Sequence, residues 1–581
     1  MDIPEQIKKI WNVWDIRIFI LLSLLTQVLL VLFAPLRRRN QHRLLVHFLW
    51  SAYLLADWVA IFALGILSNG QDASSGPGRK GDIFALWAPF LLLHLGGPDT
   101  ITAFALEDNE LWLRHLFGLF YQLIPACYVL LRSLPGNNLL VPTIFIFITG
   151  IVKYAERTWS LYRASSDVFS DELFRRLDPS KSYVKLMEQG LGERGNEYST
   201  NLETMTKSDT SNNNLMVLCC ADDLNNLQII FHAYYFFHIF KRLIVCLTLT
   251  ILEKNQSREF FLKRSANDAF KVMEMELSFI YEVLYTKAVV VHSRSGSRWS
   301  ESVAQINLIC FCLGKRSKWV GKIVDSLCFT SMLDEIQYKG HRPVCDSLKS
   351  TIMREMKKKS VSAITSESSS NRVEWDLIRS MHYESLRWSV EVEFDESILL
   401  WHIATDMCYN HITTTTHENK EREMCKLLSD YIVYLMVMRP SMTPMMGIWK
   451  IRYHDTCKEV KELFHKRDMR SRHQLGQAID MLFGLPTDIR PAAVKGKRNK
   501  SALFDAIILA NQLLELEMRW SIMICVWVEI LYYVASNCRA NVHAQQLSRG
   551  GELLTFVWLL MAHLGLGNFF CKEQGHKFDT A

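Results

Sequence analysis

The run from Ile16 to Ala34 reads IRIFILLSLLTQVLLVLFA and carries a single charge, Arg17. At about 1.5 Å per residue a helix of this length crosses a hydrocarbon core of roughly 30 Å. Trp11 and Trp14 precede it as an interfacial belt, and Arg17 lies close enough to its end to snorkel. Lys8 and Lys9 resemble the start of a secretory signal, but the run is too long, no small-residue cleavage site follows, and further apolar runs come at once. It is read as a first membrane span.

A second run extends from about Leu44 to Leu67 and is followed by the Gly/Ser-rich loop SNGQDASSGPGRKGD. The third, IFALWAPFLLLHL from Ile83, meets Gly96, Gly97 and Pro98 after about thirteen residues, too few for a straight crossing. A broken or re-entrant helix follows, tolerated at membrane depth only where protein or a wet cavity covers its backbone. The fourth run, about Leu111 to Leu131, contains Pro125, and the fifth, about Leu139 to Tyr154, contains Pro142. Five spans are expected. Arg37, Arg38, Arg39 and Arg43 directly after the first span place that loop in the cytoplasm by the positive-inside rule. The N-terminus is then outside or lumenal, and everything after about Ala155 is cytoplasmic. The acidic loop with Glu107, Asp108 and Glu110 lends no support, although acidic residues count for little in that rule.

Composition excludes a chain made of membrane alone. Of 581 residues 49% are apolar and 22% charged, and 66 basic with 60 acidic residues must lie in water; a mean hydropathy of +0.05 is equally far from the disordered signature. The net charge of +6 suits an anionic membrane surface and is too small and diffuse for nucleic acid. Fourteen cysteines scatter without a disulfide framework or a C-x-x-C pair, so reduced thiols are expected and no metal or other cofactor.

The expected organisation is all-α: a transmembrane region over 1–160, a cytoplasmic start and flexible linker over 161–215, a helical and partly membrane-associated region over 216–355, a Ser/Lys-rich linker over 356–372, and a C-terminal cytoplasmic helical domain over 373–581. The stretch IIFHAYYFFHIFKRLIVCLTLTIL is long enough to span, but Lys241 and Arg242 at its centre cost roughly 2.5–3.5 kcal/mol each there, favouring a helix on the membrane surface or packed in the domain. MREMKKKSVSAITSESSS reads as a solvated loop, or else as a site of phosphorylation or of attraction to anionic lipid. SIMICVWVEILYYVA and LLTFVWLLMAHLGLG, about fifteen residues each, read as buried core helices.

Two strings, LWAPFLLLHLGGPDTITAFALEDNELWLRHL and YAERTWSLYRAS, resemble the plant membrane family catalogued as domain of unknown function 4220. ELSFIYEVLYTKAVVVHS, RWSESVAQINLI, ILLWHIATDMCY and LSDYIVYLMVMRP resemble the same long proteins. WVEILYYVASNCRANVHAQQLSRGGELLTFVWLLMAHLGLG is similar to their partner, domain of unknown function 594. The resemblance implies a multi-span plant membrane protein with a cytoplasmic C-terminal domain and no assigned activity. It also implies further spans between the VVVHS and RWSES elements, where this chain has only RSGS between Ser293 and Arg298.

Asp57, deep in the second run, is an intramembrane ionisable residue, either holding helices together or lining a path for an ion, proton or lipid. His47, His94 and Arg17 are its candidate partners. His94 and Asp99 flank the Gly96–Gly97–Pro98 break, where Asp99 could instead cap the next helix. His402, His411 and His417 match no zinc spacing. His543, Glu552 and His563 sit in the C-terminal string, where Glu552 suits a helix N-terminus. G-x-S-x-G, H-E-x-x-H and phosphate-binding glycine loops do not occur. The sequons at Asn255 and Asn499 are expected to stay unmodified on a cytoplasmic face. The expected function is a non-catalytic scaffold or signalling component in the plasma membrane or an endomembrane, touching the lipid bilayer and binding proteins, not nucleic acid, through its cytoplasmic domain. The alternative is a transporter or channel using Asp57 and the broken third helix.

Overall fold

The computed structural model describes residues 5–38, 43–70, 79–133, 139–176, 224–245, 247, 249–287, 302–313, 340–365, 384–411, 420–444, 447–469, 471–486 and 500–566. They are helical apart from a two-stranded pairing and connections. The chain forms two compact units that interleave along the sequence: 1–249, 271–300 and 544–551 make the first, and 250–270, 301–543 and 552–581 the second. Residues 177–215 of the expected start and linker, His417, Asn499 and the RSGS junction lie outside the described residues.

In the first unit α1 (Glu5–Phe33), α2 (Arg43–Gly70), α3 (Arg79–Leu95), the short α4 (Leu106–Glu110), α5 (Trp112–Ser133) and α6 (Leu140–Ala164) form a bundle, with α3 packed against α2, α5 and α6. Small residues make close packing possible. Ala52, Ala56, Ala60 and Ala63 form a buried stripe on α2. A Cβ at Gly150 of α6 would meet Leu93 N of α3 at 3.1 Å. The outside of the bundle is apolar: Leu21, Leu32, Trp58, Phe117, Ile124 and Phe145 are all more than half exposed. Such a surface belongs in a bilayer. Ile16–Arg38, Leu44–Ser68 and Trp112–Arg132 are long and apolar enough to cross one. The apolar part of α3, Leu86–Leu95, is short, as its sequence implies, and α6 carries Lys153, Glu156 and Arg157 in its second half.

The first unit continues with α7 (Ser166–Arg176) and α8 (Asn226–Phe240). α8 stops at Lys241 in a 3-10 turn, where Arg242 Nε donates to Ile239 O at 3.0 Å. Fifteen residues of helix are too few to span. Ile229, Ala233, Phe236 and Phe240 are buried, so this helix packs in its unit as expected.

In the second unit, α9 (Ile251–Lys263) leads into α10 (Ala266–Tyr285), whose C-terminal part belongs to the first unit. β1 (Ser302–Gln305) pairs antiparallel with β2 (Gly340–Pro343), a pairing that no alternation in the sequence announced. Between and after them come α11 (Leu308–Leu313), α12 (Asp346–Thr365), α13 (Phe394–Asn410), α14 (Lys420–Met438), α15 (Ile448–Lys466), α16 (Leu475–Phe483), α17 (Leu503–Leu514), α18 (Arg519–Asn537), α19 (Ala540–Leu547) and α20 (Leu553–His563). α13 is the central helix, buried from Ser397 to Cys408 between α14 and α17. α18 also meets the length and apolarity of a span, but thirteen of its residues are buried in the unit and Glu529 is held by Lys359 Nζ at 2.7 Å. The linker expected over 356–372 is helical as far as Thr365, which corrects that boundary. Leu348, Ile352, Met356 and Ser360 recur at helical spacing on a buried face; of the lysines that suggested a loop only Lys358 is exposed, while Lys357 and Lys359 are half-buried and bond Leu262 O, Arg264 O and Glu529.

Candidate functional site

Pro89 inside α3, then Gly96, Gly97 and Pro98, stop the helix beside the midpoint of α2. Gly97 adopts φ +66°, and a Cβ on Gly96 would fall 2.7 Å from Lys153 Cγ, so both positions require glycine. The last carbonyls of a helix have no intrahelical donor. Here long side chains supply them. Gln27 Nε2 donates to His94 O at 2.9 Å, Arg157 Nη1 to Leu95 O at 2.9 Å, and Lys287 Nζ to Gly96 O at 2.9 Å and Gly97 O at 3.3 Å. Cations are also what the negative end of a helix favours.

The three sequence-singled residues border this helix end. Asp57 receives a bidentate pair from Arg157, Nη1 to Oδ1 at 2.7 Å and Nη2 to Oδ2 at 3.0 Å. His47, His94 and Arg17 are not its bonding partners; the fork from α6 is. His94 Nδ1 bonds Ser23 Oγ at 2.9 Å, tying α3 to α1. Asp99 pairs with Lys153 at 2.8 Å and with Lys287 at 3.6 Å. Asp108, not Asp99, caps α4, accepting from Phe104 N and Ala105 N. Three cations thus converge on two carboxylates and three carbonyls, with the neutral Gln27 on a fourth. Lys287 is wholly buried. Burial and the neighbouring Lys153 push its ammonium down to about 8, against the opposing pull of Asp99.

Beyond the break, the non-helical chain to Ala105 is covered by its own unit. Tyr53 OH donates to Thr102 O, Thr102 N to Tyr285 O, and Arg37 Nη2 to Ala103 O. Arg37, read from sequence as a topology signal, is buried with its Nε donating to Tyr281 OH at 2.7 Å. Arg157, Lys153 and Lys287 were not singled out in sequence. The first two had a visible signal, charges at the end of an apolar run; Lys287, 190 residues from Gly97, had none.

A family match described as Domain of unknown function (DUF4220) covers residues 50–333 and so contains Asp57, His94, Asp99, Arg157 and Lys287. A second, described as Protein of unknown function, DUF594, covers residues 514–566. The chain thus carries a match to each of these two domains, one in its N-terminal part and one near its C-terminus. Neither description names an activity. No curated protein and no solved structure matches the chain. In this DUF4220 and DUF594 protein the segment between the two matches holds a second buried polar cluster. Lys426 Nζ lies 2.8 Å from Asp406 Oδ1 and 2.8 Å from Asp430 Oδ1. His402, at the same place, bonds Ser429 Oγ at 2.8 Å through Nδ1 and accepts from Leu308 N at 3.1 Å through Nε2. Both ring nitrogens are thereby used, which leaves no lone pair for a metal. Glu552 stands at the N-cap of α20, as its sequence position implies, and accepts from Tyr431 OH at 3.1 Å. His543 stacks on Trp558 and bonds Thr555, and His563 bonds Ser257. No group of three or more His, Cys, Asp or Glu able to hold a metal occurs among the described residues.

These histidines set a pH dependence. Burial pushes His402 and His543 down to about 3, with Lys426 adding to the effect at His402. A depressed histidine contributes stability above its unfolded value of about 6.5 and loses it as pH falls, at roughly 1.4 kcal/mol per pH unit. Burial raises Asp430 to about 6, and that group works in the opposite sense, contributing fully below about 4 and losing its contribution as pH rises through 6. Acidification from pH 6 to 4 is therefore expected to lower the stability of the second unit by on the order of 1 kcal/mol per pH unit, and more steeply below pH 4, where Asp430 no longer offsets the histidines. Denaturant midpoints followed by tryptophan fluorescence measure this. A profile flat from pH 6 to 3 would refute it.

Proposed function

We propose that the protein is an integral membrane scaffold whose second unit is a cytoplasmic docking module for other proteins, without catalysis. The contrast between the surfaces of the two units carries this reading. Against the apolar exterior of the bundle, the only large exposed apolar side chains described in the second unit are Val361, Ile448, Ile451 and Met518. A bilayer suits the first surface and water the second. The charges at the α3 break support a structural role, since Asp57 and Asp99 are each held by cations that also cap the helix. Among the thiols, burial pushes Cys408 and Cys538 up to about 12 and raises Cys425 as well, whereas the buried Cys457 is lowered by its hydrogen bond with Cys312.

The orientation has the N-terminus outside or lumenal. A tag at the C-terminus is expected to be digested when protease is added from the cytosolic side of sealed vesicles. Protection of that tag would invert the topology.

The second reading, a transporter or channel, draws on the same break, because ionisable side chains beside unwound backbone are how half-helix binding sites are built. Reconstitution separates the two. The scaffold reading expects liposomes carrying the full-length protein to show no flux of protons or monovalent ions above empty liposomes. A flux that Asp57→Asn abolishes would establish the transporter instead.

A further inference from the structure

The Lys-rich segment that resembled a linker forms one wall of an open groove in the second unit. The groove encloses about 930 Å³, at the upper end of the roughly 300–1,000 Å³ of small-molecule sites. Its other wall is the junction between α9 and α10. Four cations line it: Arg264, Arg354, Lys357 and Lys358. Glu355 is the carboxylate among them, and it is committed to Arg354 at 3.0 Å and Lys358 at 3.0 Å. Lys357 Nζ is held in place by donating to Leu262 O and Arg264 O, both at 2.8 Å, which commits two of its three donors. Ser265, at the rim, caps the N-terminus of the 20-residue α10 and also donates to the buried Asp268 carboxylate at 3.1 Å, so that helix end is already offset and the four side chains supply the positive charge. The remaining wall is apolar, formed by Leu262, Met353 and Val361, and Val361 is 53% exposed.

Positive charge beside an apolar wall suits a ligand with a phosphate at one end and hydrocarbon at the other. We propose that this groove binds an anionic phospholipid, with its phosphate among the four cations and its glycerol and first acyl carbons against Leu262, Met353 and Val361. A soluble phosphate would leave the apolar wall unused, and a zwitterionic lipid would bring its own cation against the four already present.

Native mass spectrometry of the full-length protein in detergent tests this, with dioctanoyl phosphatidic acid, dioctanoyl phosphatidylcholine and inorganic phosphate as probes. Phosphatidic acid is expected to bind about tenfold or more tightly than either other probe. Arg354→Gln removes one charge-assisted hydrogen bond and should weaken phosphatidic acid about tenfold. Val361→Asn, at an exposed position where folding is not at stake and with no change of charge, should weaken it by a similar factor through the apolar wall. Equal binding of phosphatidylcholine would overturn the role of the cations. Equal binding of inorganic phosphate would overturn the lipid assignment. Unchanged phosphatidic acid binding in both variants would place the lipid elsewhere.

Discussion

Replacing Lys426 with Met should cost the second unit roughly 3–5 kcal/mol, the usual loss when one partner of a buried ion pair is removed. Lys426 is 8% exposed, Asp406 1% and Asp430 7%. One ammonium therefore serves two carboxylates inside a helical core. Without it both remain buried, and at neutral pH either must lose its charge or draw in water. Methionine fills the volume of the lysine stem, so the loss reports charge and not a cavity. Denaturant unfolding monitored through Trp401 and Trp527, both wholly buried in the same unit, gives the measurement. In an Asp406→Asn, Asp430→Asn background the cost of Lys426→Met should shrink by more than half, since the stranded charges are gone. A loss below about 1 kcal/mol in the otherwise native protein would mean that the cluster is hydrated and not a dry pair.

Arg157→Met should be the most damaging single change in the first unit. It deprives Asp57 of both bonds of its fork and Leu95 O of its donor at once. By the same reasoning the cost is roughly 3 kcal/mol, visible as a loss of several degrees in thermal unfolding in detergent. Arg157→Lys should recover only part of it, because an ammonium cannot make the planar two-pronged contact. Adding Asp57→Asn to Arg157→Met should restore stability relative to Arg157→Met alone. If the double variant were no better than the single one, Asp57 would not be the group that Arg157 neutralises.

Three of the five expected spans, at α1, α2 and α5, and the break after α3 were legible because length, apolarity and the Gly96–Gly97–Pro98 break are local properties of the chain, whereas α6 does not reach the length and apolarity of a span. The same is true of Glu552 at its helix N-terminus. Partner choice was not legible. Asp57 looked toward histidines and an arginine near it in sequence or depth, whereas its partner lies 100 residues away, on the neighbour that Gly150 lets α3 approach most closely. Lys287 closes the helix end across a still longer gap, from beyond α10. The part of the helix over 346–365 that follows residue 355 was missed because three consecutive lysines outweighed the period of Leu348, Ile352, Met356 and Ser360, although that period was present to be read. The β1–β2 pairing joins four-residue strands 35 positions apart, too short to alternate visibly.

The interleaving of the two units bears on how the protein is made. Tyr281 and Lys287 secure Arg37 and the carbonyls at the α3 break, and residues 544–551 complete the same unit, with Ala544 O accepting from Tyr285 OH and Gln545 donating to Glu107. At roughly 5–20 residues per second, a ribosome that has released α6 needs tens of seconds more to deliver those last pieces. The bundle is thus threaded early and closed late, and a nascent chain waiting between those events would expose a charged helix end until Lys287 arrives, and an open flank at Tyr285 and Glu107 until residues 544–551 do.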